Sequence, residues 1–296
     1  MRSTRTGRRA VGIAAIVVLS VAVVALSTLA LSHTRTARVA AADERMPVPA
    51  PSETSSPSPS TTPTPTTPAA APRAEERFLS FSGASAWRAT AGSCEGAAPV
   101  LQRLDGRGEW VGIAPRGQAI GEIVSLDAYA DGAEFVAGVD TACTPVALRT
   151  FTAGEAWAPR PDSLARSRYI TPGAADVVHT RTGDVAAPCA AASGLRARGE
   201  VVALICDGRA WSRTGDQWQP LAPADAVAVA VDDTDILIGH RSPECAGLAV
   251  TRVSGDASSA AGCAPGVDSS LPVAIAPRGD DIVVWAADDI IEVRTP

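Results

Sequence analysis

Residues Arg149 to Trp157 read R-T-F-T-A-G-E-A-W: a short apolar strand ends in Arg-Thr, a turn of small residues follows, and an aromatic closes it. Shortened copies recur as R-L-D-G-R-G-E-W from Arg103 to Trp110 and R-T-G-D-Q-W from Arg213 to Trp218. Two further strand ends, V-T-R-V around Arg252 and V-R-T around Arg294, keep the arginine and lose the tryptophan. Copies spaced tens of residues apart imply an array of one supersecondary unit. The intervals between these arginines are 46, 64, 39 and 42 residues. Their mean of about 48 is the size of a propeller blade of four strands.

The surrounding pattern agrees. Runs such as A-E-F-V-A-G-V, V-V-A-L-I, D-I-L-I-G and D-I-V-V-W are short, rich in Val and Ile, and bounded by Gly, Pro and Asp, which reads as strand. No run of helical period appears after residue 77. The expected fold is therefore all-β, a small β-propeller of about five blades over residues 77–296. The long second interval contains Pro172-Gly173 and holds either a loop or a degenerate extra blade. In each unit, Gly supplies positive φ and Asp a side-chain bond to backbone amides. Trp110, Trp157 and Trp218 are expected to be buried against the neighbouring blade, for stability rather than ligand binding.

This unit resembles the Asp-box, or BNR, repeat of sialidase-like propellers, S-x-D-x-G-x-x-W. It is similar in particular to exported BNR-like proteins related to the photosystem II assembly factors, whose repeat ends R-S-T-D-G-G-A-T-W. Asp105, five residues before Trp110, keeps the box aspartate, and Thr152 stands at that place before Trp157. The resemblance implies a propeller. It implies sialidase chemistry only if a tyrosine nucleophile, a glutamate, an acid/base aspartate and three arginines are present. The tyrosines are Tyr129 and Tyr169 alone, and the F-R-I-P-type opening of those enzymes is missing. The arginine column, Arg103, Arg149, Arg213, Arg252 and Arg294, has two readings: structural or solvated strand ends, or an anion-binding ring. No nucleophile elbow, zinc-protease helix motif, P-loop or dinucleotide fingerprint occurs. The acidic run Asp232, Asp233 and Asp235 reads as a solvated turn rather than a calcium loop, because no glycine and bidentate glutamate follow at loop spacing. No cofactor is expected. The leading reading is a non-catalytic binding or scaffolding module with a protein or glycan ligand; the alternative is a degenerate glycosidase.

All 26 basic residues are arginine, against 32 acidic ones. Residues 75–296 carry a net charge of about −11, which argues against nucleic acid and for a soluble monomer. Arg2, Arg5, Arg8 and Arg9 precede an uncharged apolar run from Ala10 to Ser32. Its length suits a membrane-spanning helix, and the arginines place residues 1–9 in the cytoplasm and the rest outside the cell. A signal peptide cut near Val39-Ala40-Ala41 is the other reading. Residues 33–76 read as a disordered Pro/Ser/Thr-rich stalk. The six cysteines all lie beyond it, so disulfides are expected. Cys189 and Cys206 bracket one strand and Cys245 and Cys263 bracket the unit at Arg252, which leaves Cys94 with Cys143.

Overall fold

The computed structural model describes residues 73–294, so the apolar run 10–32 and residues 33–72 lie outside the described residues. Among the described residues, no helix is long and apolar enough to cross a membrane. The chain forms a propeller of six antiparallel sheets taken in sequence order. Blade 1 holds β1 (Arg77–Ser82), β2 (Ser85–Thr90), β3 (Val100–Leu104) and β4 (Trp110–Gly112); blade 2 holds β5 (Ile120–Tyr129), β6 (Gly132–Val139), β7 (Thr144–Thr150) and β8 (Ala158–Pro159). A short helix α1 (Pro161–Leu164) leads to blade 3, with β9 (Tyr169–Ile170), β10 (Val177–Thr180) and β11 (Gly183–Ala186). Blade 4 holds β12 (Ser193–Arg198), β13 (Val201–Cys206), β14 (Arg209–Thr214) and β15 (Gln217–Ala224). Blade 5 holds β16 (Ala226–Asp232), β17 (Asp235–Ser242), β18 (Cys245–Ser254) and β19 (Ala257–Pro265), and blade 6 holds β20 (Val273–Arg278), β21 (Asp281–Ala286) and β22 (Asp289–Arg294).

The count is six blades, against the five expected. The long interval hides blade 3, whose strands have only two to four residues and no tryptophan. Its turn carries R-T-G-D from Arg181 to Asp184, identical to Arg213–Asp216 and 32 residues from both Arg149 and Arg213. That sixth copy marks blade 3 in the sequence.

We call the face where the innermost strands start the upper face and the face where they end the lower face. β1, β5, β12, β16 and β20 line the axis, each touching its neighbour in the ring. Blade 3 has no regular innermost strand. Its β9 leaves Arg168 beside Glu200 on the lower face and reaches Gly173 beside Glu122 on the upper face, the direction of a second strand. β5 therefore meets β12 directly.

Six clusters of buried residues occupy the six interfaces between blades. Phe78, Trp87, Ile123, Phe135 and Leu148 fill blades 1–2, and Leu237, Leu248, Ile275, Ile282 and Val284 fill blades 5–6. Second strands contact a blade on both faces, so β6, β13 and β21 are buried almost throughout and read as continuous apolar runs. Blade 6 closes on blade 1 through Leu79, Val283 and Trp285, with Trp110 packed against them. Among the described residues, no strand is shared across that seam.

All three expected disulfides are present. Cys94–Cys143 ties the β2–β3 loop of blade 1 to the β6–β7 turn of blade 2. Gly138 makes room for it: a Cβ there would lie 2.8 Å from both sulfurs. Residues Arg73–Glu76, expected in the stalk, instead pack on the propeller, since the amide nitrogens of Ala91 and Gly92 donate to the carbonyls of Glu76 and Ala74.

Trp285→Ala is expected to lower stability by about 3–5 kcal/mol, because a 6 % exposed ring is removed from the closing seam. The half-buried Trp218→Ala should cost less; urea unfolding of both variants measures the difference.

Candidate functional site

The six third strands all end on the lower face, and each ends in or is followed by one arginine: Arg103, Arg149, Arg181, Arg213, Arg252 and Arg294. The turns that follow are built as the sequence implies. The Asp105 Oδ1 accepts from the amides of Arg107 and Glu109 at 2.8 and 2.9 Å, which holds its carboxyl below the usual carboxylate range. In blade 2 the Thr152 Oγ1 takes the amide of Ala156 at 2.9 Å, and the Thr150 Oγ1 takes that of Gly154 at 3.0 Å. Hydroxyls thus replace the carboxylate.

The tryptophans after these turns occupy equivalent places at the start of a fourth strand, each against the preceding blade. Trp157 meets Trp87 and Phe135 edge-on at 5.8 and 4.8 Å, and Trp218 Nε1 donates to the Ala186 carbonyl at 2.9 Å. Trp110 lies under the Arg88 guanidinium at 4.5 Å. All three are half-buried rather than buried, because a fourth strand is the outermost and keeps one side in solvent. The fully enclosed tryptophans are Trp87 and Trp285, on second strands.

The arginine column does not act as one ring. Arg252 bridges Asp232 and Asp235 at 2.9 and 3.1 Å, so that acidic turn is an ion-paired hairpin. Arg213 lies 5.7 Å from the Trp218 ring and 3.3 Å from Asp216. Arg149 is stacked between Tyr129 at 4.2 Å and Phe151 at 4.5 Å. Arg103 Nε is buried without a hydrogen-bond partner. Arg294 pairs in register with Asp281.

The upper face holds the candidate binding site, a pocket of about 520 Å³ at the mouth of the axis, among the starts of β1, β12, β16 and β20. Arg196 crosses it: Nη2 donates to the Arg77 carbonyl at 2.7 Å, and Nη1 lies 3.4 Å from Glu76. Burial weakens the hold of Arg196 on its proton, and Glu76 opposes that effect. Arg241 Nη2 fixes the loop before β20 through the Ser269 carbonyl at 3.0 Å. On the same loop Leu271 is 46 % exposed. Arg73 also lines the pocket. Its Nε meets the buried Glu122 at 2.7 Å, while its Nη1 is buried without a partner. Glu122 also accepts from the Gly173 amide at 2.8 Å, which joins blade 2 to blade 3. Glu122 with Cys94 and Cys143 is the one grouping of metal-ligand type among the described residues, but both sulfurs are spent in a disulfide. The pocket therefore offers guanidinium forks, carboxylates, hydroxyls and apolar surface on a rigid rim, which is binding chemistry.

The residue types of a sialidase do meet, though on the lower face: Tyr129, Asp127 and Glu134 line one cavity with Arg149. Burial first, then Asp127 and Glu134, push Tyr129 up to about 12, and burial does the same to Tyr169. An activated nucleophile needs the opposite shift. Asp127 is exposed to solvent in the cavity but closely walled by protein. That crowding pushes its carboxyl up to about 6, with Glu134 adding and Arg196 and Arg198 opposing.

A raised carboxyl is favoured in the protonated form by the fold, so its contribution is present at low pH and is lost as pH rises through about 6. Asp127→Asn should therefore flatten the stability profile between about pH 4 and 6 and raise stability at pH 7, read from urea midpoints across that range. An unchanged slope would show that the carboxyl is not perturbed.

No family model matches the sequence, and no curated protein sequence matches it. Solved structures do. A structure of YCF48 bound to the D1 peptide is 14% identical, with 74% of this chain and 78% of that chain covered and a TM-score of 0.41. The Aleuria aurantia lectin in complex with alpha-methyl-L-fucoside is 13% identical, covering 74% and 94% of the two chains at a TM-score of 0.41. AofleA from Arthrobotrys oligospora is 11% identical, covering 74% and 82% at a TM-score of 0.44.

Proposed function

We propose that this chain is a membrane-anchored, extracytoplasmic propeller that binds a protein segment or a glycan at its upper mouth, as a monomer and without catalysis. One observation carries the reading. The upper pocket presents a buried, unpartnered Arg73 Nη1, an arginine–glutamate pair and the exposed Leu271 on a rim stapled by Cys94–Cys143 and by Arg73–Glu122. A buried donor without a partner is costly, and a ligand carbonyl or hydroxyl would satisfy it. A rigid rim spares the ordering cost of binding.

Of the two histidines of the propeller, His240 supports a non-catalytic role, since its ring nitrogens meet Thr251 at 2.9 Å and the Arg241 carbonyl at 3.1 Å. The Asp105 turn and its tryptophan, set between third and fourth strands, support reading the repeats as eroded Asp-boxes. The anchor rests on the uncharged run 10–32 behind four arginines.

Leu271→Asp is expected to leave the melting temperature unchanged and to abolish retention on a glycan array or a displayed peptide library, compared with the parent. A parent that retains nothing on either, or a variant that retains as much, rejects the reading. Protease added to intact cells should strip the propeller and leave a membrane-bound stub. A mature N-terminus at Ala41 or Ala42 would show a cleaved signal peptide instead.

A further inference from the structure

The missing innermost strand of blade 3 leaves a second cavity, of about 400 Å³, on the lower face between blades 2 and 4. Six arginines line it: Arg149 from β7, Arg166 and Arg168 after α1, Arg181 from the β10–β11 turn, and Arg196 and Arg198 from β12. In a domain of net charge about −11, that is a local reversal of sign.

Internal pairing accounts for only part of these cations: Arg196 is held by Glu76 and the Arg77 carbonyl. Neither Asp127 nor Glu134, the two carboxylates of the cavity, is within ion-pair distance of any of the six, and Glu134 Oε2 is buried with no hydrogen-bond partner. Arg168 and Arg181 share Glu200, which is 83 % exposed, at 3.3 and 2.5 Å. The crowding shows in Arg168, whose hold on its proton is weakened by burial and then by Arg181. Arg198 reaches only the exposed Asp233, at 3.2 Å. The exposed Arg166 has no carboxylate partner among the described residues. Arg149 is decisive. Two aromatic rings lie against its guanidinium, which limits its rotamers, and its Nε is buried without an acceptor. Set against Asp127, Glu134, Glu200 and the partners of Arg196 and Arg198, Glu76 and Asp233, six guanidinium groups leave a surplus of about one positive charge.

We infer that this cavity binds a small anionic ligand through carboxylate or phosphoryl groups, with Arg149 and Arg166, neither of which has a carboxylate partner among the described residues, as two of its forks. Planar forks match both oxyanions bidentately, and the cavity is large enough for a tricarboxylate or a short polyphosphate.

The test is calorimetric titration of the full-length chain with citrate and with tripolyphosphate, at constant ionic strength against a chloride control. Saturable one-to-one binding of either anion is expected. Citrate alone would identify a carboxylate ligand, tripolyphosphate alone a phosphoryl ligand, and both a site that reads charge. Arg166→Gln, at an exposed and unpaired position, should melt like the parent and bind about tenfold more weakly; Arg149→Gln should bind at least as weakly, with some loss of stability from its aromatic contacts. Leu271→Asp, on the opposite face, should bind like the parent, which separates this site from the upper pocket. Absence of saturable binding by both anions overturns the inference. So does full affinity in both arginine variants, or loss of affinity in Leu271→Asp.

Discussion

The structure depends on a seam closed by side chains alone. Blade 1 takes its strands from the start of the described chain and blade 6 from its end, and among the described residues no shared strand bolts the ring. In place of a strand, Arg77 lies 4.4 Å and Arg88 4.8 Å from the Trp285 centroid, with Trp110 on the other side of Arg88 at 4.5 Å. Arg77 also donates to the Ala287 carbonyl at 2.6 Å. Both guanidiniums are half-buried, and burial lowers their proton affinity; at such a partly wet site a cation over an aromatic face is worth about 0.5–1 kcal/mol. Arginine suits this place better than lysine, because a planar guanidinium stacks on aromatic faces and a compact ammonium does not.

The same preference for planar cations shapes the two faces. Acidic groups dominate the propeller by count, yet arginines are drawn to the axis and to the gap in blade 3. On the upper face they are bound to carbonyls and to Glu76 and Glu122, which makes them part of the wall. On the lower face they outnumber their acids. One face is thus a stapled mouth of mixed chemistry and the other an electropositive gap, and Arg196 lines both.

The gap follows from the local sequence of blade 3. After β8, Pro161 opens a single helical turn, and Leu164 packs with Val124, Val136 and Tyr169 where an innermost strand would stand. The turn Thr180–Gly183 is held by the Thr180 hydroxyl, which donates to the Gly183 carbonyl at 2.6 Å. A blade built of two- and four-residue strands has too little alternation to be counted from periodicity. Its R-T-G-D tetrapeptide was the only repeat signal it kept.

The sequence by itself determined the all-β class, the blade-sized repeat, the turn chemistry at Asp105 and Thr152, and the two local disulfides, Cys189–Cys206 and Cys245–Cys263. Each of these is local: strand runs, a turn of a few residues, or cysteines that bracket one unit. Cys94–Cys143 followed only by elimination and joins two blades. Tertiary structure decided the sixth blade, the half-burial of Trp110, Trp157 and Trp218, and the convergence of six arginines. Equivalent repeat positions point to equivalent places around a ring, so the column alone would not converge. Arg149 gains its neighbours from non-equivalent positions, after α1 and along β12, that only the closure of the ring brings to one gap.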